Sequence, residues 1–365
     1  MSDDAFVPLQ AIKGRGAASR LAHRFSKDER SAFDDGWGSL QAKQGEDDDL
    51  PPLATEVRFE DVKSALTGNE SPDVYFERSL NPYRGCEHGC IYCFARPTHS
   101  YLNLSPGLDF ETRLIAKRNI AQVLRAELGR RGYRPAGLAI GTATDAYQPV
   151  ERDLRLTRGV LEVLQECRHP FGLVTKSSAV EHDLDIIAPM AAQQLAAVYV
   201  TLTTLDGELA RKLEPRAASP RRRLRTIATL AAAGVPVGVS VAPQIPFVTE
   251  DMERVLEAAW AAGARSAFYT VIRLPWEVAP LFHQWLEVHY PQRAGRVMAR
   301  IRDMRGGKDY DADFASRMKG SGPWADLIAQ RFAKATQRLG FNRERHVMDL
   351  EAFRPPAAHG QGSLF

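Results

Sequence analysis

The stretch GCEHGCIYC, residues 85–93, holds three of the four cysteines in this chain of 365 residues. Cys86, Cys90 and Cys93 have the spacing C-x3-C-x2-C, whereas Cys167 lies far away in the sequence. Three thiols cannot pair among themselves without a leftover, and a chain of this length can bury a core without disulfides. Clustered thiolates in a reducing compartment usually bind metal, so the stretch predicts a metal centre.

Two kinds of metal centre are compatible with this spacing. A structural zinc site needs four ligands, and here it would need His88 or His99 as the fourth. An iron–sulfur cube takes one thiolate per iron, so three cysteines leave one iron open for chemistry. The cluster is the favoured interpretation. The alternative is a non-catalytic, zinc-stapled scaffold or nucleic-acid-binding protein.

The wider stretch SLNPYRGCEHGCIYCFARPTHSYL, residues 79–102, resembles the radical S-adenosylmethionine (SAM) superfamily. Within that superfamily it is similar to the DNA-repair-photolyase-like, or spore-photoproduct-lyase-like, branch, over residues 71–275. The resemblance implies a [4Fe–4S] cluster on the three cysteines, with SAM chelated by the open iron. An electron donor such as flavodoxin or ferredoxin would drive cleavage of SAM to methionine and a 5′-deoxyadenosyl radical. Nucleic acid, in DNA repair or modification, leads peptides and small molecules as the expected substrate class.

Short β-rich runs alternate with amphipathic helical periods along the middle of the chain. Six runs are strand candidates, at residues 73–80, 136–145, 171–178, 195–204, 235–245 and 266–275. Alternating β and α units predict a parallel sheet with right-handed crossovers, and six units fall short of the eight in a closed barrel. We therefore predict a partial (β/α)6 TIM-type barrel, which the resemblance also implies, with an open lateral mouth that suits a large substrate.

The pattern divides the chain into four parts. We expect a mostly irregular arm over residues 1–55, the core barrel over 56–275, a helical C-terminal extension over 276–351 and a disordered tail over 352–365. The first strand is expected to lead directly into the cysteine loop. No secretory segment or long apolar run is found in the sequence, so we expect a cytoplasmic protein with no membrane contact.

Polar residues that follow the predicted strands are the candidates for binding SAM, because barrel chemistry lies at the carboxyl ends of the strands. Thr142 and Asp145 follow the second strand, where the superfamily often has a Gly-Gly-Glu-like stretch that this sequence lacks. The resemblance suggests that Lys176 and Ser177, after the third strand, reach the SAM carboxylate or ribose. A buried lysine also needs an anion for physical reasons. Tyr92, within the cysteine motif, would pack near the adenine.

Other polar residues near the strand ends have open roles. Thr203, Thr204, Glu214 and Arg216 follow the fourth strand, and a Glu214–Arg216 pair could serve structure or substrate. Arg273 is expected at the rim after the sixth strand.

The resemblance also raises the question of a hydrogen donor. Spore photoproduct lyase is thought to use a cysteine near the end of the second strand, and GTATDAY, residues 141–147, contains none. Tyr147 and Tyr83 are the candidates to replace it. Cys167 ends a predicted helix before the third strand, so we interpret it as a structural thiol. The spore-lesion reaction itself is therefore not expected.

Charge patterning suggests further partners. The net charge of +3 is mild, but residues 293–308 contain six cations and one anion. This segment is either a solvated helix face or a phosphate-binding patch. The final five residues, QGSLF, include Gln361, Leu364 and Phe365. They resemble the short motif by which bacterial replication and repair proteins dock on the DNA sliding clamp. It predicts a clamp partner bound through an extended peptide.

Overall fold

The computed structural model describes residues 9–26, 53–344 and 346–357. These ranges contain ten strands: Glu56–Glu60 (β1), Thr67–Gly68 (β2), Arg78–Leu80 (β3), Tyr83–Arg84 (β4), Arg113–Lys117 (β5), Leu138–Ile140 (β6), Phe171–Thr175 (β7), Ala196–Thr201 (β8), Val237–Gln244 (β9) and Ser266–Val271 (β10). They also contain eleven α-helices: Leu108–Thr112 (α1), Ile120–Leu128 (α2), Glu151–Leu154 (α3), Leu156–Glu166 (α4), Leu184–Ala191 (α5), Gly207–Leu213 (α6), Pro220–Ala232 (α7), Met252–Ala261 (α8), Val278–His289 (α9), Pro291–Asp303 (α10) and Pro323–Leu339 (α11). Two 3-10 helices, Arg96–Leu102 and Ser178–Asp183, complete the regular structure.

The main sheet has seven strands in the order β10-β9-β8-β7-β6-β3-β2. The six strands from β3 to β10 in this sheet pair in parallel, for example with Leu138 opposite Phe171 and Val198 opposite Val237. Helices connect them, as parallel pairing requires. The short β2 pairs antiparallel with β3 and forms one edge, while β10 forms the other. The predicted partial barrel of six parallel units with a helical extension is thereby confirmed.

The core explains why these segments take these conformations. Strands β8 and β9 are buried along almost their whole length, as expected for parallel strands covered on both faces. The helices that cover them turn their apolar positions inward, and α2, α4 and α8 occupy three segments in which the sequence has apolar residues at helical spacing. Pro189 lies inside α5, where it does not prevent the helix from forming.

The first strand differs from its prediction. Of residues 73–80, only Arg78–Leu80 form a strand, because the preceding segment turns sharply: the Asn69 side chain donates to the Phe76 carbonyl at 2.9 Å. The cysteine loop does not follow β3 directly either. It follows β4, which belongs to a second sheet of order β1-β5-β4, with Tyr83 opposite Ala116. This small sheet was not predicted, and it fixes the start of the cysteine loop.

The lateral side of the barrel is less open than expected. Between the edges of the main sheet, the segment after α10 lies along β10: the Val271 amide donates to the Met318 carbonyl at 2.9 Å, and Lys319 Nζ donates to the Tyr269 carbonyl at 2.9 Å. From the same segment, Arg317 bonds Asp73, in the turn between β2 and β3, through two contacts of 2.5 and 2.6 Å. This pair ties the two edges of the sheet together.

The terminal segments contact the barrel. Residues 9–26 contain no helix or strand, yet Arg15 and Ala17 are buried. At the other end, Ala352 is buried and the Arg354 amide donates to the Cys167 carbonyl at 2.8 Å, so residues 352–357 lie against the barrel although the sequence assigns them to a tail. The docking motif at 361–365 lies outside the described residues. Across the ranges that are described, no helix is both long and apolar enough to cross a membrane.

Candidate functional site

The three clustered cysteines lie on one tight loop at the carboxyl end of the barrel. Cys86 and Cys90 are buried, Cys93 is partly buried, and all three are free thiols. The loop starts at Gly85, whose φ of +80° favours glycine and whose added Cβ would lie 2.8 Å from the Phe110 carbonyl oxygen. The Cys86 amide donates to that same carbonyl at 2.9 Å. The backbone therefore presents all three thiols from one fixed segment.

A buried ion pair supports the cysteine loop. Arg96 and Glu111 are both fully buried, and Arg96 Nη2 lies 2.5 Å from Glu111 Oε1. Arg96 also donates to the Cys90 carbonyl at 2.9 Å and to the Gly89 carbonyl at 3.0 Å. This pair fixes the backbone at the second cysteine and at the residue before it.

The N-terminal arm adds a second support to this loop. The amides of Gly16 and Ala17 each donate to the Glu111 carboxylate at 2.9 Å, and Arg15 donates to the Glu111 carbonyl at 2.9 Å. Gly16 approaches the cysteine loop so closely that a Cβ atom there would lie 1.8 Å from the Gly89 carbonyl oxygen. Part of the segment predicted to be an irregular, solvated arm is thus built into the site.

The donor set fits an iron–sulfur cluster better than a single ion. Within residues 9–26, 53–344 and 346–357, no three His, Cys, Asp or Glu side chains converge in a way that could hold one metal ion. A cluster with one thiolate per iron needs no such convergence. Each of the two histidines considered as zinc ligands has one ring nitrogen near another partner, since His88 Nδ1 lies 3.3 Å from Asp145 and His99 Nε2 lies 3.0 Å from the Arg113 carbonyl oxygen. Burial raises the pKa of Cys90 to about 12, so a thiolate there needs a metal or a cation to offset its cost.

Asp145 serves as a brace between two strand ends. Its carboxylate accepts from Thr175 Oγ1 at 2.7 Å, from the Lys176 amide at 2.7 Å and from the Tyr147 amide at 2.9 Å. Burial acts to raise its pKa, but the neighbouring His88 and these donors outweigh burial and hold the pKa below its ordinary value. A carboxylate with this many donors has little capacity left for a ligand.

Lys176 and Tyr92, which are both candidates for binding SAM, lie near each other. Lys176 Nζ lies 5.9 Å from the centre of the Tyr92 ring. Burial acts to lower the pKa of Lys176, but Cys90 and Glu214 outweigh it and raise that pKa above its usual range. The neighbouring Ser177 lies after β7 and accepts from the Ala179 amide at 3.1 Å, so it caps the following 3-10 helix. The fold therefore brings Lys176 and Tyr92 close together, and their roles toward SAM stay predictions.

A second buried ion pair lies beneath these residues. Glu214 accepts from Thr203 Oγ1 at 2.7 Å and from the Tyr92 hydroxyl, and Arg223 donates to its other oxygen. Burial acts to raise the pKa of Glu214, but Arg223 and Lys176 lower it to about 2. The pair considered in the sequence, Glu214 with Arg216, does not form, because Arg216 instead lies 3.0 Å from Glu87.

The remaining candidates have varied positions. Thr142 is partly exposed and accepts from the Asn81 side chain at 3.3 Å. The two tyrosines considered as hydrogen donors are both buried, with the Tyr83 hydroxyl donating to Glu151 and the Tyr147 hydroxyl donating to Asp183 at 2.8 Å. Neither hydroxyl is presented to the mouth of the barrel.

The basic segment at residues 293–308 is only partly available for phosphate. Arg305 is buried and donates to the carbonyls of Ser316 and Ile272 at 2.8 and 2.7 Å. Arg300 pairs with Asp303 at 2.9 Å, and Arg302 pairs with Asp309 at 2.6 Å. These contacts disfavour a continuous phosphate-binding face on α10.

Sequence reasoning missed the residues that hold the site rather than line it. Arg96, Glu111 and Arg223 carry buried charges whose partners are distant in sequence, so no local pattern identifies them. The Gly14-Arg15-Gly16 stretch did carry a signal, since a glycine without a turn or cap role marks a close backbone approach.

Comparison with known proteins gives a consistent family assignment. Residues 80–259 match the model of the radical SAM superfamily. An uncharacterized protein of Mycobacterium tuberculosis is 38% identical over 253 residues, which cover 67% of this chain and 74% of that protein. An uncharacterized protein of Methanocaldococcus jannaschii is 25% identical over 58% of this chain and 76% of that protein.

Among solved structures, spore photoproduct lyase complexed with dinucleoside spore photoproduct has a TM-score of 0.48 and 16% identity, with 78% of each chain covered. The chain belongs to the radical SAM superfamily, whose cofactors are a [4Fe–4S] cluster and S-adenosylmethionine.

Proposed function

We propose that Cys86, Cys90 and Cys93 each bind one iron of the [4Fe–4S] cluster. When bound, the cluster and SAM supply one-electron cleavage of SAM and a 5′-deoxyadenosyl radical that acts on the substrate. The observation that carries the proposal is a single braced loop with three free thiols. One of them, Cys90, lies close enough to Lys176 to raise the pKa of that lysine. Flavodoxin or ferredoxin is the expected class of electron donor.

Lys176 is the residue that we assign to the carboxylate of SAM. Glu214, whose charge helps to raise the pKa of Lys176, is already paired with Arg223, so the Lys176 ammonium has no ion-pair partner of its own among the described residues. A partly buried cation without a partner favours a ligand of opposite sign. Tyr92 offers an apolar ring beside this charge, with its hydroxyl turned away toward Glu214. We assign that ring to the adenine side of SAM.

The other candidates at the strand ends have supporting roles in this proposal. Asp145 holds the ends of β6 and β7 and the His88 side of the cysteine loop in one arrangement. Ser177 caps the 3-10 helix that follows Lys176, and Thr142 lies at the partly exposed end of β6, where its hydroxyl can contact SAM. Their substitution should loosen SAM binding rather than abolish cluster assembly.

We propose nucleic acid as the substrate class, in a repair or modification reaction. Exposed aromatic side chains and arginines lie together beside the cysteine loop, which is the surface that stacking on bases requires. The sliding clamp stays a prediction from QGSLF alone. A pull-down with purified clamp that compares the full chain with one ending at Gly360 tests it, and equal recovery of both would reject it.

The main proposal is tested by anaerobic reconstitution with iron and sulfide, followed by SAM and a reductant. The native chain should be brown, bind about four irons and release 5′-deoxyadenosine. Cys90→Ala should lose the cluster and the product together, because a missing thiolate leaves a second iron without a protein ligand.

Cys167→Ala is the matched control, since Cys167 is a buried thiol in the hydrophobic core, and it should keep iron and product. If Cys90→Ala forms 5′-deoxyadenosine at the native rate, the assignment of the ligands is wrong. A colourless chain with one zinc would instead support the scaffold alternative.

A further inference from the structure

Exposed aromatic rings are concentrated beside the cysteine loop. The described residues contain seven exposed Phe, Tyr or Trp side chains, and four of them lie on segments that adjoin this loop. We call these four the aromatic strip: Phe25, Phe94, Tyr101 and Trp276. Phe94 directly follows Cys93, and Trp276 lies in the loop after β10, at the carboxyl end of the barrel. Exposures of 47% to 69% leave a large part of each side chain in contact with solvent.

The larger part of the strip is held rigidly by one arginine. The Arg24 guanidinium carbon lies 4.7 Å from the centre of the Phe25 ring, 5.2 Å from Tyr101 and 4.4 Å from Trp276. Arg24 is itself fixed by Glu277 at 2.8 Å. Trp276 has a φ of +46°, a conformation that a bulky residue adopts only when its surroundings impose it. Rings fixed before a ligand arrives lower the entropy cost of binding.

The remaining part of the strip carries an uncompensated charge. The Arg273 guanidinium carbon lies 4.9 Å from the centre of the Phe94 ring. Its Nε is buried without a hydrogen-bond partner, and its Nη1 contacts only the sulfur of Met318 at 3.6 Å among the described residues. Asp73, a carboxylate that feels the charge of Arg273, is bonded by Arg317 instead. Arg273 is therefore a cation that can accept an anion from a ligand.

We propose that the aromatic strip binds unpaired nucleotides of a single-stranded nucleic acid, with bases stacked on Tyr101 and Trp276 and a phosphate at Arg273. This inference rests on the proposed function and names the form of its substrate. Rings separated by arginines match a strand in which flat bases alternate with phosphates. A paired duplex keeps its bases stacked inside and offers no free base face to such rings. Phe94 directly follows Cys93, so a strand bound at Phe94 and Arg273 lies beside the third cysteine.

The test is fluorescence anisotropy with the reconstituted full chain and a labelled oligodeoxythymidylate of about 20 nucleotides. Replacing Tyr101 and Trp276 together by alanine should weaken binding by roughly 10- to 100-fold, since each stacked base contributes strongly. The control replaces Phe59, an exposed aromatic residue of β1 that is not part of the strip, and should bind as the native chain does. Circular dichroism and iron content verify that both variants are folded.

Two further arms separate stacking from charge. An abasic oligonucleotide of equal length has the same charge but no bases, so the native chain should bind it about as weakly as the Tyr101 and Trp276 double variant binds the thymidylate. Arg273→Gln should reduce the slope of log affinity against log salt by about 0.7, the value for one phosphate contact on a single strand.

The inference is overturned if the double variant binds the thymidylate as tightly as the native chain does, or if the abasic strand or a duplex binds equally well. Release of 5′-deoxyadenosine by the native chain without nucleic acid is measured in parallel. If that release persists while the strip fails these tests, only the substrate inference falls; if release is absent, the proposed function falls.

Discussion

Replacing Gly16 by alanine is expected to detach the N-terminal arm from the cysteine loop. The added Cβ atom would lie 1.8 Å from the Gly89 carbonyl oxygen, where ordinary contacts begin at 3.4 Å. The Gly89 oxygen belongs to the backbone and is also held by Arg96 at 3.0 Å, so it cannot rotate away as a side chain would. One of the two segments must therefore move by roughly 1.5 Å.

The magnitude follows from the hydrogen bonds that this movement breaks. Gly16 and Ala17 donate to the Glu111 carboxylate, and Arg15 donates to the Glu111 carbonyl, each at 2.9 Å. Hydrogen bonds to charged groups contribute roughly 1.5–3 kcal/mol each, so the gross loss for these three bonds is about 4.5–9 kcal/mol. Water that enters beside Glu111 replaces some of these hydrogen bonds. We therefore expect a net loss of about 2–4 kcal/mol in the free energy of docking the arm.

Hydrogen exchange followed by mass spectrometry measures this directly. Residues 9–26 should exchange faster in Gly16→Ala, and a chelator should remove iron from the reconstituted variant faster than from the native chain. Gly295→Ala, in α10, is the matched control, because a Cβ atom there meets nothing within 4 Å. Unchanged protection of the Gly16 and Ala17 amides would show that the arm does not support the cysteine loop in this way.

Three further changes test other parts of the structure. Glu214→Gln should lower the free energy of unfolding of the iron-free chain by roughly 3–5 kcal/mol in urea titrations, because Arg223 stays buried without its carboxylate; a loss below about 1 kcal/mol would contradict the pairing. Burial lowers the pKa of His169 from 6.5 to about 4, so its stabilisation is present above pH 6.5 and is lost as pH falls through 4. His169→Phe should therefore make the denaturation midpoint less sensitive to acid between pH 6.5 and about 4. An unchanged dependence of the midpoint on pH would contradict this role of His169. Reversing the charge of Asp73 or of Arg317 alone should speed the hydrogen exchange of residues 309–320. Reversing both charges together should restore slow exchange, whereas equal exchange in all variants would mean that the pair does not hold the sheet edges together.

Local patterns were sufficient to predict the architecture. The spacing of Cys86, Cys90 and Cys93 predicted the superfamily, and alternating strand and helix periods predicted six parallel units, because both signals are carried by neighbouring residues. Parallel strands end at the same side of a barrel, so residues after different strands, such as Asp145 and Lys176, could be expected to meet. The short β4 gave no such signal, since two residues are too few for a period.

Tertiary structure alone decided which charges pair and which surfaces stay exposed. The partner of Glu214 is Arg223 rather than Arg216, and Glu111 binds both Arg96 and the arm, over separations that no local rule relates. The sequence by itself determined which side chains could bind iron, carry charge or stack. Their partners depend on how distant segments are brought together when the apolar core is buried, and only the folded chain has those distances.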